Sequence, residues 1–397
     1  MALGFSVTEK EVIVSVNTKH KSLYHSLSLF EDDRQTDSLD DFQPEETAPK
    51  ETLLSSSDPE AREIFDLSIQ VKDLKPWHWM EETDLIGIEH PETGEIGFIS
   101  VMGSLGEHEA IALYLGAEGL YEFIDLHTDD SSTAERVLEN RHLQAAFSER
   151  KYLEKEDRDL IKQLGLKFRS DCPMFRSYRP GYLPWFVTLN EARFLIHALS
   201  QIITVAKSVR DEAQPFYPTE RVEKDGYLMR VSRKEGSALI WEDQVWRIAR
   251  PQRKAVKVVV DAVTLERLKG LRQSQLELEV DLFMAPASIG KKRGQRPLAV
   301  YALMIADSNS GFIFGTEVMS AQDSLPAMHA RIPNSLAQML LQAEIRPQKL
   351  VVRSELLRTL LKPFAQSLNI ELRLQDELPS IDEAAEYMGQ FMRGGKL

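Results

Sequence analysis

Ten residues, Pro297-Leu298-Ala299-Val300-Tyr301-Ala302-Leu303-Met304-Ile305-Ala306, run without a charge at the start of the last quarter of the chain. A half-exposed strand would alternate and an amphipathic helix would repeat every 3.6 residues, so the run reads as a strand covered on both faces. Asp307 ends it, and Ser308-Asn309-Ser310-Gly311 has turn chemistry. Phe312–Met319 reads as the return strand. Helix Pro333–Ala343, strand Lys349–Val352, helix Glu355–Leu368, strand Ile370–Leu374 and helix Ser380–Met392 follow. This ββαβαβα order predicts a three-layer α/β module with parallel crossovers over residues 296–397.

The densest stretch lies upstream, at Lys167–Leu199. Its first half sets Phe168, Phe175, Tyr178, Tyr182, Trp185 and Phe186 among Arg169, Arg176 and Arg179, punctuated by Pro173, Pro180 and Pro184. Proline removes a backbone donor and fixes φ, so neither a regular helix nor an inner strand fits; the stretch is expected to be a rigid connector. It feeds a helix. Thr188 and Glu191 have capping-box spacing, and Ala192, Leu195, Ile196, Leu199, Ile202, Ile203 and Ala206 recur at helical spacing.

Before this hub the pattern is mixed. Glu11–Val16 is strand-like. A helix starts at Asp58 with Pro59 in its first position. Leu85–Ile88 and Ile96–Met102 flank a turn at Pro91–Gly94 and predict a hairpin. Ala110–Leu115 is a further strand, and Leu120–Leu126, Ser131–Leu143 and Glu154–Leu164 are helical, with a strand at Leu143–Phe147. Beyond the long helix, three short strands are expected at Tyr227–Val231, Ala238–Trp241 and Val245–Ile248, then strands at Lys257–Val260 and Leu276–Phe283 around helix Ala262–Leu271. The expected divisions are a disordered acidic segment (1–57), a small antiparallel α+β domain (58–130), a helical region with the hub (131–214), a β-rich middle region (215–295) and the α/β module (296–397). The fold class is α+β and multi-domain.

Charge supports the first division. The net charge is −14, and between Glu31 and Glu60 eleven acidic residues face two basic ones, a local balance of −9 that leaves −5 for the rest. Residues 31–58 hold too little apolar surface to offset ordering entropy. The remainder is mildly acidic, which argues against a uniform nucleic-acid-binding surface and leaves room for a local basic patch.

Chemistry is sparse. The single cysteine, Cys172, excludes disulfides and cysteine-based zinc clusters and fits a reducing, cytoplasmic setting. No serine stands in a G-x-S-x-G elbow, and no histidine pair has HExxH spacing. Gly103-Ser104-Leu105-Gly106-Glu107 lacks the lysine of a phosphate loop and reads as a tight turn. His108 is without a second histidine at ligand spacing, and His197 sits on an apolar helix face as a core residue. No signal peptide or membrane span is evident.

The C-terminal order resembles the ribonuclease H-like fold shared by nucleases and transposases. That resemblance implies an acidic residue on the first strand, a second after the next helix and strand, and a third acid completing a two-metal site. Asp307 falls near the first position. The second departs, because Val352 is followed by Arg353, and Glu355 comes only at the next helix start. Asp376, Glu377, Asp382 and Glu383 are candidates for the third. One strand of the family order is missing. Separately, Phe98–Gly103, Gly116–Leu120, Phe175–Trp185, Arg346-Pro347, Val351–Arg353 and Glu377–Asp382 resemble a bacterial family of unknown function, which implies membership without an activity.

The leading reading is a non-catalytic protein that binds an unidentified protein partner or ligand, without metal or cofactor, with Arg176, Arg179, Tyr182 and Trp185 as candidate binding residues. The hub is expected to be a structural weld with Trp185 largely buried. The alternative is a Mg²⁺-dependent nuclease or transposase-like enzyme using Asp307, Glu355 and Asp382. A nucleic-acid-binding variant would use Arg253, Lys254, Lys291, Lys292 and Arg293, where basic residues follow Trp241 and Trp246 or fill a loop.

Overall fold

The computed structural model describes residues 3–5, 51–106, 108–128, 134–211, 226–252, 256–290 and 295–392. Two large sheets carry the chain, with a two-stranded ribbon of β1 (Leu3–Phe5) and β9 (Val258–Val260) beside them. The expected strand at Glu11–Val16 lies outside the described residues.

The first sheet has seven strands: β2 (Ile86–Glu89), β3 (Ile96–Met102), β4 (Ala110–Leu115), β5 (His142–Ser148), β6 (Cys172–Tyr178), β7 (Gly226–Glu235) and β8 (Ala238–Arg247), in the order β6-β5-β4-β3-β2-β7-β8. All neighbours are antiparallel except β2 and β7. Helices α1 (Pro59–Leu74) and α5 (Leu189–Asp211) cover one face; there the Phe65 ring meets Phe175 at 5.0 Å. Helix α2 (Gly116–Thr128) covers the other, with Phe123 4.6 Å from Tyr114. The short helices α3 (Ala134–Glu139) and α4 (Lys155–Gln163) flank it.

Several expectations hold in detail. Glu191 N–H donates to Thr188 Oγ1 (3.2 Å), and Thr188 N–H donates to Glu191 Oε2 (2.8 Å), the reciprocal capping box that opens α5. Asp58 precedes α1, although its carboxylate accepts from Ser55 rather than from the helix. Other expectations are corrected. One sheet runs through residues placed in three regions, so the divisions at 130/131 and 214/215 do not correspond to structural breaks. The segments 238–241 and 245–248 are one strand, β8, whose polar middle is tolerated because it is outermost. Cys172–Tyr178, expected as part of a rigid connector, is a regular edge strand. Pro173 is accommodated because β6 is the opposite edge.

The acidic segment was expected to be disordered through residue 57. Residues 51–57 are instead ordered along the hub: Leu54 N–H donates to Val187 O, Leu189 N–H donates to Thr52 O, and Leu53 bridges Thr188. Residues 31–50 lie outside the described residues.

The second sheet contains β10 (Glu277–Ile289), β11 (Leu298–Asp307), β12 (Ile313–Ser320), β13 (Lys349–Val352) and β14 (Glu371–Leu374), ordered β12-β11-β10-β13-β14. The first three are antiparallel, and β10, β13 and β14 are parallel. Helices α7 (Leu325–Gln342) and α8 (Glu355–Ser367) pack on one face, with α6 (Ala262–Gly270) against α7; α9 (Pro379–Met392) lies on the other. The three layers are as expected, but the order is βββαβαβα. The added strand is β10, whose first part is expected as Leu276–Phe283 in the middle region; it carries the acids Glu279 and Asp281. Both are buried. The division at 295/296 therefore falls inside one sheet. Helix α7 starts eight residues before Pro333, at a Ser324 cap accepting from Ala327 N–H. Among the described residues no helix is long and apolar enough to cross a membrane.

The hub joins the sheets. Leu183 N–H donates to Pro297 O and Ala299 N–H to Gly181 O, so the turn after β6 pairs with the start of β11. Gly181 has φ +81, and a Cβ there would lie 2.5 Å from Ala321 Cβ. Gly181→Ala should therefore cost about 2 kcal/mol in urea unfolding, from left-handed strain and overlap together. Wild-type stability in that variant would show that the two sheets are not held at this turn.

Candidate functional site

Two groups of polar side chains stand out, one in each sheet. The first is built on β10. Residues 279 and 281 share a face of that strand because side chains alternate, and that face lies under α9. Glu279 is 3% exposed, and its Oε2 accepts from Ile381 N–H (3.0 Å) in the first turn of α9. Burial holds its carboxyl above the usual range. Arg353 follows β13, which pairs in parallel with β10, so its guanidinium reaches across. Its Nε lies 2.8 Å from Asp281 Oδ2, and its Nη2 donates to Asp382 Oδ1 at 2.6 Å. Burial opposes the Arg353 charge, but Asp281 and Asp382 more than offset it and raise its pKa.

The expected metal-binding residues do not converge. Asp307 ends the second strand of the sheet, not the first, and its Oδ2 accepts from Ser310 N–H and Oγ, closing the β11–β12 turn. Glu355 begins α8 and pairs with Arg358 one turn on. Asp382 is held by Arg353. Among the described residues no group of three histidine, cysteine or acidic side chains is arranged to hold a metal ion. A divalent cation does not fit between Asp281 and Asp382 while a guanidinium spans them. The sequence signal for this cluster was present as acids two apart in Glu277–Asp281, but it was legible only once β10 was recognised as the first strand.

The second group is the hub. Arg176 is buried against α4, with Nη1 2.9 Å from Asp157 Oδ1, Nη2 2.6 Å from Asp157 Oδ2, and the Phe186 ring 4.8 Å away. Arg179 points instead toward α5, pairing with Glu191 (2.8 Å) and with Glu51. Tyr182 bridges Leu298 through its backbone. Trp185 pairs through its backbone with Ser177, and its ring lies 5.0 Å from Phe186. It is half-buried rather than largely buried, because the backbone forms most of the weld. Arg176 and Arg179 therefore serve different neighbours. Sequence reasoning missed Glu51 and Arg296, which join this group. Arg296 donates to Ser177 O (2.7 Å) and Ser177 Oγ (3.0 Å).

The basic candidates Arg253, Lys254, Lys291, Lys292 and Arg293 lie outside the described residues. Nearby Arg250 pairs with Asp125 and stacks over Tyr121, a solvated-surface role.

Residues 62–230 match a family described as a domain of unknown function, DUF7309, and residues 264–389 match a second, DUF6930. The chain carries two domains of unknown function. No curated protein and no solved structure matches it. The DUF7309 match takes in the hub and most of the seven-stranded sheet. The DUF6930 match takes in the five-stranded sheet, with Arg296, Glu279, Asp281, Arg353 and Asp382.

Proposed function

We propose that the protein acts by binding rather than by metal-dependent phosphodiester cleavage. The observation carrying this reading is Arg353, whose guanidinium bridges Asp281 and Asp382 just past the carboxyl end of β13, beside the first half of the longer β10. The βββαβαβα order, with the first strand central, supports a ribonuclease H-like ancestry for the DUF6930 domain. On that reading, a built-in cation stands where acidic groups would gather metal ions. An arginine that pairs with both carboxylates lowers their attraction for Mg²⁺ and occupies the position between them, so the ligand must be sought elsewhere. The single cysteine, buried and with its thiol pKa pushed up by burial, supports a reducing compartment without redox chemistry.

The test is direct. Full-length protein is incubated with single- and double-stranded DNA and RNA in Mg²⁺ or Mn²⁺, beside an Asp281→Asn variant. No cleavage is expected. Divalent-ion-dependent cleavage lost in Asp281→Asn would overturn the reading. Arg353→Gln should lower stability by about 2 kcal/mol, since it strands two carboxylates in a partly buried pair. A urea midpoint equal to that of the wild type would show that the guanidinium is not neutralising them.

A further inference from the structure

Two guanidiniums meet where the domains join. The Arg296 side chain is 5% exposed and that of Arg179 is about a third exposed. Arg296 spends its Nη groups on Ser177, and its Nε is buried with no hydrogen-bond partner among the described residues. Glu191 is the permanent anion here, but it already accepts from Thr188 N–H, Ser177 Oγ and Arg179. Its hydrogen bonds therefore go to groups other than Arg296, for which it is only a nearby favourable charge. The other anion is Glu51, bonded to Arg179 and 3.7 Å from Arg296 Nη2.

Glu51 differs from its neighbours in how it is held. It begins a strap, residues 51–57, in which no residue is buried. Apart from Glu51, the strap is held by one antiparallel bridge to the segment 187–189, made of two backbone hydrogen bonds, by Ser56 Oγ donating to Gln163 Oε1 (2.7 Å), and by a partly buried Leu54. Such a weakly attached edge opens locally at far lower free energy than the sheets beneath it. When it lifts, two arginines remain facing each other around a single carboxylate. Burial and the neighbouring Arg179 already depress the Arg296 pKa to about 10 with Glu51 in place.

We propose that Arg179 and Arg296 form an oxyanion-binding site that the chain fills with its own Glu51 carboxylate, and that a small phosphate or carboxylate ligand takes the same position when the strap lifts. Guanidinium groups suit planar and tetrahedral oxyanions because their N–H donors pair with two oxygens at once. Glu51 is then a tethered stand-in for the ligand. This assignment is independent of the carboxylate cluster under α9.

Thermal melts of the full chain test it by chemical rescue, with inorganic phosphate as the probe and chloride at matched ionic strength as the control. Glu51→Gln is expected to melt below the wild type in chloride. Phosphate at tens of millimolar should raise its Tm by about 2 °C beyond the control, as for a millimolar ligand of the folded state. The wild type, whose site is filled, should shift by less than half as much. The double variant Glu51→Gln with Arg179→Gln should lose the response. If Glu51→Gln does not fold, Glu51→Asp, which keeps the charge on a shorter arm, carries the same comparison. Equal phosphate shifts in wild type and variant, or a response surviving in the double variant, would overturn the proposal.

Discussion

Lowering the pH from 7 to 5 should remove about 4 kcal/mol of folding stability, roughly half of it at His142 and half at His329. His142 is fully buried, and its Nδ1–H donates to Asn140 O at 2.8 Å. Its Nε2 is buried with no hydrogen-bond partner among the described residues, and its ring stacks on Tyr178 at 4.0 Å. Burial lowers its pKa to about 4, and burial does the same for His329 on α7. Both rings hold a proton more weakly in the folded chain than in the unfolded one, where the value is 6.5. The unfolded state therefore gains protons first as the pH falls through 6.5, and stability drops until the folded-state value near 4 is passed. His90 and His197 shift in the same direction by burial, whereas Glu279, whose carboxyl is raised, works the other way. Urea unfolding at pH 7, 6 and 5 measures the slope. His142→Phe, which keeps a stacked ring and removes the titration, should flatten it by about half. A wild-type midpoint unchanged between pH 7 and 5 would mean that these rings reach water or a partner.

What could be read without the structure follows the range of the interaction that decides it. The Thr188–Glu191 box is a contact between residues three apart, and it formed as read. The β2–β3 hairpin and strand β11, uncharged up to its terminal Asp307, are likewise written into a few consecutive residues. Strand β10 was misplaced because its meaning depends on α9, about a hundred residues later, whose backbone N–H at Ile381 makes a buried Glu279 tolerable. That error moved Asp307 into the first-strand role and hid Asp281. Arg353 was legible as an obstacle to metal, but its two partners were not, since neither lies on its own element. Glu51 had no local signal at all. It is one acid among eleven, and only the crossing of the strap over Arg179 and Arg296 distinguishes it.

The hub supplies the second large effect. Arg176→Ala should destabilise the protein by about 3–5 kcal/mol, the range for removing one partner of a buried ion pair. The side chain is nearly inaccessible, and it satisfies both Asp157 oxygens, Glu154 Oε1 at 3.3 Å and Phe175 O at 2.9 Å. Asp157 in turn accepts from Glu154 N–H at 3.0 Å, so one guanidinium fastens the N-terminus of α4 to the edge strand β6. Truncation leaves Asp157 desolvated with no cation, and the edge strand loses its side-chain anchor. Arg176→Met combined with Asp157→Leu should recover much of the loss, because an apolar pair of similar volume removes the stranded charge as well as the bond. The comparison separates the two roles open to this residue. If Arg176 contacts a ligand, its loss will remove binding and leave the urea midpoint within about 0.5 kcal/mol of wild type, as for a surface substitution. If it is the fastener that its contacts describe, the single variant will unfold early and the double variant will not.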